Sequence, residues 1–362
     1  MKVLKTILSL SAVILVAACA RVQTDYPGGE EIRFQVASYG TPATKAGETD
    51  YKQDYGSVPF GAYAWYKGET PAENRDFMVN QKVSYNSSDN LWITEGSTYY
   101  WPKGGSLDFI CYSPYSTAGV PAIGEDSITY TDYDVNANPD TDLLYADKSC
   151  GLGQNAVTYY YNGVPVLFRH ALARLSFSLR LAYSEITATT GDKTKWEVTV
   201  NSISIKNVRT SGSLSIGLES GAWALPASQV WTPNAATTDI ALDCSALHTF
   251  TDTDPQDVGR GFMVLPQSLG LGQKLILNLT INTWRDNGSG YGTEPFVKET
   301  SVEVEAAVGV TTLDKWGINQ NIHYNLILTP SLSDGSQLPT EITFDPAVAD
   351  WENITTTAEI NI

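Results

Sequence analysis

Asn353-Ile354-Thr355-Thr356-Thr357-Ala358-Glu359-Ile360-Asn361-Ile362 closes the chain. Ile354, Thr356, Ala358, Ile360 and Ile362 fall in one phase, and Asn353, Thr355, Thr357, Glu359 and Asn361 fall in the other. Successive side chains of a strand point to opposite faces, so unbroken alternation over this length predicts a half-buried strand over 354–362. Chain ends usually fray. A clean amphipathic strand at the terminus is therefore expected to add to a sheet, either in its own domain or in a neighbouring molecule by strand addition.

The same grammar runs back through the chain. Ile32, Phe34 and Val36 alternate with Arg33 and Gln35 and predict the first strand. Val58 to Tyr66, Phe77 to Tyr85, Ser106 to Tyr112, Ala173 to Leu181, Trp196 to Val208, Lys274 to Trp284, Val297 to Ala307 and His323 to Thr329 follow, punctuated by Gly, Pro, Asn and Ser. Only His170 to Leu175 has a helical reading. Many short strands in 362 residues predict an all-β chain of two tandem β-sandwich domains, over 31–168 and 169–362.

Composition narrows the function. With 23 Lys and Arg against 40 Asp and Glu, the formal charge is −17. Such a field repels phosphate backbones, so nucleic acid is not an expected partner. Aromatic content of 11% and charged content of 17% exclude a disordered chain.

Lys2, Lys5, the apolar run Ile7 to Ala17 and the small residues before Cys19 have the layout of a signal peptide over 1–18. That run is too short to span a bilayer, which takes about 20 residues. Val16-Ala17-Ala18-Cys19 resembles a bacterial lipobox, which implies a lipid on Cys19 and attachment to the outer membrane through it. Residues 19–30, with Pro27-Gly28-Gly29, read as a flexible tether.

Catalytic patterns are lacking. His170, His248 and His323 are spread apart, and none lies in a metalloprotease motif or beside a nucleophile elbow. Gly151-Leu152-Gly153 leads into residues that favour a strand, where a dinucleotide site needs a helix N-terminus. Asp132, Asp134 and Asn136 put oxygen ligands at alternate positions and are a weak calcium candidate. Ala137 stands where an EF-hand needs Gly, and Leu143 where it needs Glu, so a solvated loop is the preferred reading. Cys111, Cys150 and Cys244 form no metal pattern; buried thiols, or one disulfide with one free thiol, both fit. No cofactor is expected, and the chain does not read as an enzyme. Exposed aromatics would suit a glycan-binding surface lipoprotein, which is the alternative reading.

The lipobox Cys19, the Ile32-Arg33-Phe34 strand, the Thr44-Lys45-Ala46 loop and Phe60-Gly61-Ala62-Tyr63-Ala64 together resemble the fimbrillin family of Bacteroidetes, including Mfa-like fimbrillins. Trp101-Pro102 leading to Leu107-Asp108-Phe109-Ile110-Cys111-Tyr112-Ser113-Pro114, Phe168-Arg169-His170-Ala171-Leu172-Ala173-Arg174 and Ala349-Asp350-Trp351 extend the resemblance over nearly all of the mature chain. It implies two transthyretin-like sandwiches of mostly antiparallel strands in a type V fimbrial subunit, a pilin or an anchor or tip component, serving adhesion to a host or bacterial surface. It further implies that a protease cuts after the first strand, at Lys45-Ala46 here, where family members commonly carry Arg. Loss of Ile32, Phe34 and Val36 would open a groove, and the face of Ile354, Thr356, Ala358, Ile360 and Ile362 would fill that groove in another fimbrial subunit.

Overall fold

The computed structural model describes residues 30–38, 57–89, 91–137, 139–153, 163–219, 228–242, 249–251, 253–258, 261–270, 272–286, 288–309, 313–329 and 352–361. These residues are all-β, with a three-residue 3-10 turn at Pro71–Glu73 as their helical element. No helix among them is long and apolar enough to cross a membrane.

In the first half the strands are β1 Phe34–Ser38, β2 Phe60–Lys67, β3 Arg75–Asn86, β4 Leu91–Thr94, β5 Ser106–Ser113, β6 Ala122–Gly124, β7 Ser127–Asp134, β8 Leu144–Ala146, β9 Ser149–Leu152 and β10 Val164–His170. In the second half they are β11 Ala173–Leu181, β12 Glu185–Thr187, β13 Lys193–Val208, β14 Ser211–Gly217, β15 Ser228–Pro233, β16 Thr238–Leu242, β17 Thr249–Phe250, β18 Gln256–Asp257, β19 Phe262–Val264, β20 Gln267–Ser268, β21 Lys274–Asp286, β22 Val297–Ala307, β23 Lys315–Trp316, β24 Gln320–Thr329 and β25 Glu352–Asn361.

The first sheet runs β2-β3-β4-β1-β10-β8-β5-β9, and β2 also pairs with β5, so seven strands form a hydrogen-bonded circuit. Inside it lie Ile32, Phe34, Phe60, Phe109, Leu107 and Phe168, the inward residues of alternating strands. Phe60 touches Phe168 with ring centroids 5.4 Å apart and Phe34 at 5.6 Å. Gly61 follows Phe60 for a steric reason: a Cβ there would stand 2.2 Å from the Tyr112 ring.

A second core, with Leu175, Phe177, Trp196, Leu277, Trp316 and Tyr324, lies between two sheets of the second half. One is β18-β11-β24-β25, and the other is β12-β13-β21-β22 with β16 and β17 against β13. A third cluster takes residues from both halves, among them Ile110, Ile128, Tyr130, Leu172, Leu214 and Ile216. It is roofed by the sheet β15-β14-β7-β6, in which β7 of the first half pairs with β14 of the second.

Among the described residues three ladders are parallel: β1 on β10, β11 on β24 and β24 on β25. The first strand of each half therefore lies parallel to a late strand of the same half. The helical reading of His170 to Leu175 is corrected: β10 runs through His170, and β11 starts at Ala173. A six-residue stretch cannot sustain a helix nucleus when both flanks are held in ladders. Ala171 and Leu172 are buried at the turn, with the Ala171 N–H donating to the Leu143 carbonyl at 2.8 Å.

Candidate functional site: the first strand and the C-terminal strand

The first strand lies inside its sheet, not along an edge. Its run-in is clasped on one side: the Ile32 N–H donates to the Tyr99 carbonyl at 2.8 Å and the Trp101 N–H to the Glu30 carbonyl at 3.0 Å. Phe34 is then the ladder partner of Trp92 in β4. On the other side Phe34, Gln35, Val36, Ala37 and Ser38 pair in parallel with Val164 to Phe168 of β10.

Ile32 is 0% exposed and Phe34 1%. Phe34 meets Phe60 and Phe109 edge-on, at 5.6 and 5.9 Å. Val36 is half-buried against the same cluster. Arg33, between the two buried residues, points outward and pairs with Glu31 at 3.4 Å. Gly163, at the start of β10, has φ +125°, and a Cβ there would stand 2.7 Å from the Arg33 carbonyl oxygen. The absent side chain is what lets β10 approach β1 so closely.

The far side of β10 is locked by charge. Arg169 makes two bonds to the Asp147 carboxylate, at 2.6 and 2.8 Å, and His170 Nδ1 lies 2.7 Å from Asp142 Oδ2. The Lys148 ammonium, 3% exposed, reaches Asp126 at 2.7 Å and Asp108 at 3.5 Å. Burial opposes its charge, but the hydrogen bond it donates to Asp126 and the nearby negative groups outweigh it and raise its pKa. Sequence reading missed this network because each of these contacts joins residues 22 to 40 positions apart, and Asp147-Lys148-Ser149 has the composition of a solvated turn.

Among the described residues the C-terminal strand β25 ends its sheet. It pairs in parallel with β24, from Gln320 opposite Glu352 to Thr329 opposite Asn361. In this register positions 354, 356, 358 and 360 stand opposite Ile322, Tyr324, Leu326 and Leu328, which are the buried phase of β24. Among the described residues the strand has one hydrogen-bonded neighbour, where β1 has two.

Other residues singled out in the sequence are dispersed. Cys19, Lys45, Cys244, His248 and Ile362 lie outside the described residues. Cys111 is buried, and burial pushes its thiol well up. Asp134 Oδ1 accepts the Asn136 N–H at 2.9 Å in a local turn, Asp132 Oδ1 faces Asn234 Nδ2 at 3.4 Å, and among the described residues no group of three acidic, His or Cys side chains could hold a metal. His323 sits between Ser176 Oγ at 2.8 Å and Ser178 Oγ at 3.0 Å, and burial lowers its pKa.

The model of the fimbrillin-like family matches residues 44–351. No curated protein matches the chain. Among solved structures it is similar to a candidate cell adhesion protein of Bacteroides uniformis, at 17% identity over 78% of this chain and 99% of that one, with TM-score 0.39. A candidate cell adhesion protein of Parabacteroides distasonis is 10% identical over 93% of this chain and 99% of that one, with TM-score 0.38. A fimbrial protein of Bacteroides ovatus is 12% identical over 90% of this chain but 54% of its own length, with TM-score 0.35.

Proposed function

Because this chain belongs to the fimbrillin-like family, we propose that it is a fimbrial subunit that loses its first strand to a protease and receives the C-terminal strand of a neighbouring subunit in its place. The family is structural, and the chain is a structural surface protein with no enzymatic role. The finer parts of the reading are Cys19 as the lipid anchor to the outer membrane, Lys45-Ala46 as the cleaved bond, β1 as the removable strand, and β25 as the donor in a polymer of fimbrial subunits. Two tandem sandwich domains over 31–168 and 169–362 belong to the same reading. Adhesion to a host or bacterial surface is the proposed outcome.

One observation carries the proposal. Ile32 and Phe34 are completely buried in a strand hydrogen-bonded on both sides, and the segment joining it to β2 contains Lys45. Cutting there severs β1 from the chain and leaves a slot that needs a strand of alternating pattern, and Ile354 to Ile362 has that pattern. Head-to-tail donation does not close on itself, which yields a filament.

The test is the N-terminal residue of the surface protein, with its migration on an unboiled gel. A start at Ala46 with a ladder of bands is expected. A lipidated Cys19 start with a single monomer band overturns the polymerising reading and leaves an anchor or a monomeric glycan-binding lipoprotein.

A further inference from the structure

An edge strand exposes a row of N–H and C=O groups that can pair with another chain, and proteins commonly guard such edges with charged side chains. Among the described residues, the strands of five or more residues with one hydrogen-bonded neighbour are β15, β16, β22 and β25. Three of them carry charge: Asp239 on β16, Lys298, Glu299, Glu303 and Glu305 on β22, and Glu352 and Glu359 on β25. β15 carries none, and its Val230 stands 53% exposed.

This edge is held in place. All of β15 pairs with β14, from Ser228 opposite Gly217 to Pro233 opposite Gly212. Trp231 pins it from beneath: its indole N–H donates to the Ala171 carbonyl at 2.7 Å, and its ring centre lies 6.2 Å from that of Tyr133. A strand already fixed costs little ordering when a partner arrives. On the outer face Val230 lies in a row with Ser215, Thr129 and Ala122 across the sheet, and Ser228 in the next row with Gly217, Ser127 and Gly124. Neither row contains a charged side chain, in a chain whose formal charge is −17.

Two copies of so acidic a chain repel over most approaches. Along β15 no like charges meet, and the strand fits itself. Set antiparallel about a twofold axis through Val230, it places Val230 opposite the partner's Val230, Ser228 opposite the partner's Thr232 and Gln229 opposite the partner's Trp231. The exposed valines then cover each other, and the Ser and Thr hydroxyls can each donate and accept. Pro233, which has no N–H to give, falls outside the pairing. We infer that the outer edge of β15 is an isologous interface between two copies of this chain, joining their β15-β14-β7-β6 sheets into one continuous sheet. So short an edge covers less than the roughly 800 Å² per partner of a stable interface, so the pair is weak between single subunits and strengthens where many subunits stand in rows. A contact about a twofold axis closes at two copies, so it joins one filament to another and adds no length to either. That filament setting rests on the reading above; the pairing itself needs no strand exchange.

The experiment is disulfide trapping in the uncut full chain under mild oxidation. Directly opposed residues of antiparallel strands have Cα atoms about 4.5 to 5.5 Å apart, within the range of about 4.4 to 6.8 Å that a disulfide spans. Val230→Cys is therefore expected to give a covalent dimer on a non-reducing gel, well above the level given by the native protein with its own cysteines. Ser228→Cys and Thr232→Cys are each expected to stay at the native level alone and to cross-link when mixed. With Val230→Lys added to both chains, the mixed pair is expected to lose its cross-link while the thermal midpoint stays unchanged. Trapping of Val230→Cys no greater than that of Thr232→Cys alone, or a mixed cross-link that survives Val230→Lys, overturns the inference. Loss of the gel ladder with trapping intact would count against strand exchange and leave this interface standing.

Discussion

Removing β1 is the perturbation that bears most directly on the proposed assembly. Cleavage at Lys45 followed by mild denaturant releases residues up to 45, and with them Ile32, Phe34 and Val36. Burial of the first two is complete, and each contributes about 1.5 to 3 kcal/mol; half-buried Val36 adds about 1, for a total of about 4 to 7. Whole domains are stable by only about 5 to 15 kcal/mol. The loss also exposes Phe60, Phe109, Val164 and Val166, the residues that line the slot. Urea unfolding of cut and uncut protein, followed by near-ultraviolet circular dichroism, would read the difference. The first half should unfold at much lower urea in the cut form, and a synthetic peptide of residues 352–362 should restore most of the midpoint, where one with Ile354 and Ile360 changed to Asp should not. Equal midpoints for cut and uncut protein, or equal rescue by both peptides, would refute the reasoning.

Lys148→Ala leaves the Asp108 carboxylate without its buried cation, and stability should fall by about 2 to 3 kcal/mol, the lower side of the usual cost because Asp126 is solvated and Asp108 keeps the Gly151 N–H. Adding Asp108→Asn in the same chain should recover part of the loss in a thermal melt. Gly163→Ala should cost about 1 to 3 kcal/mol in the uncut protein, because the new Cβ meets the Arg33 carbonyl, and less once β1 has gone. His323 has a folded pKa below its unfolded value of about 6.5, so the unfolded chain takes up protons first as pH falls. Its contribution to stability is complete above pH of about 6.5 and is lost below that, and His323→Gln should flatten the urea midpoint between about pH 5 and 7; an unchanged slope would show that another group sets it.

The sequence carried the strands well and their pairing poorly. Alternation in Ile32-Phe34-Val36, in Ala173 to Leu181 and at the C-terminus reports which side of each strand is wet, a local property that burial imprints residue by residue. Nothing local records that β7 joins β14, some 80 residues away, or that β1 is flanked on both sides while β25 is flanked on one. The same limit applies to charge. His170 reads as a lone histidine because its partner Asp142 stands 28 residues earlier, and Lys148 reads as a turn residue because Asp108 and Asp126 lie on other elements.

The placement of β25 explains why cutting, and not affinity alone, would control assembly. At home the strand competes as part of its own chain, at an effective concentration in the millimolar range. A neighbour present at micromolar concentration is disfavoured about a thousandfold, or about 4 kcal/mol. In the uncut protein the slot between β4 and β10 is filled, and an exchanged β25 would find only an equivalent edge. Once β1 has gone, the same strand gains a second hydrogen-bonded neighbour and the apolar wall worth about 4 to 7 kcal/mol. That gain is of the size needed to offset the concentration deficit, and it exists only after cleavage. The proposed exchange should therefore be absent from concentrated uncut protein and appear after the cut at micromolar concentration; ladders formed by uncut protein would mean that some other contact joins the subunits.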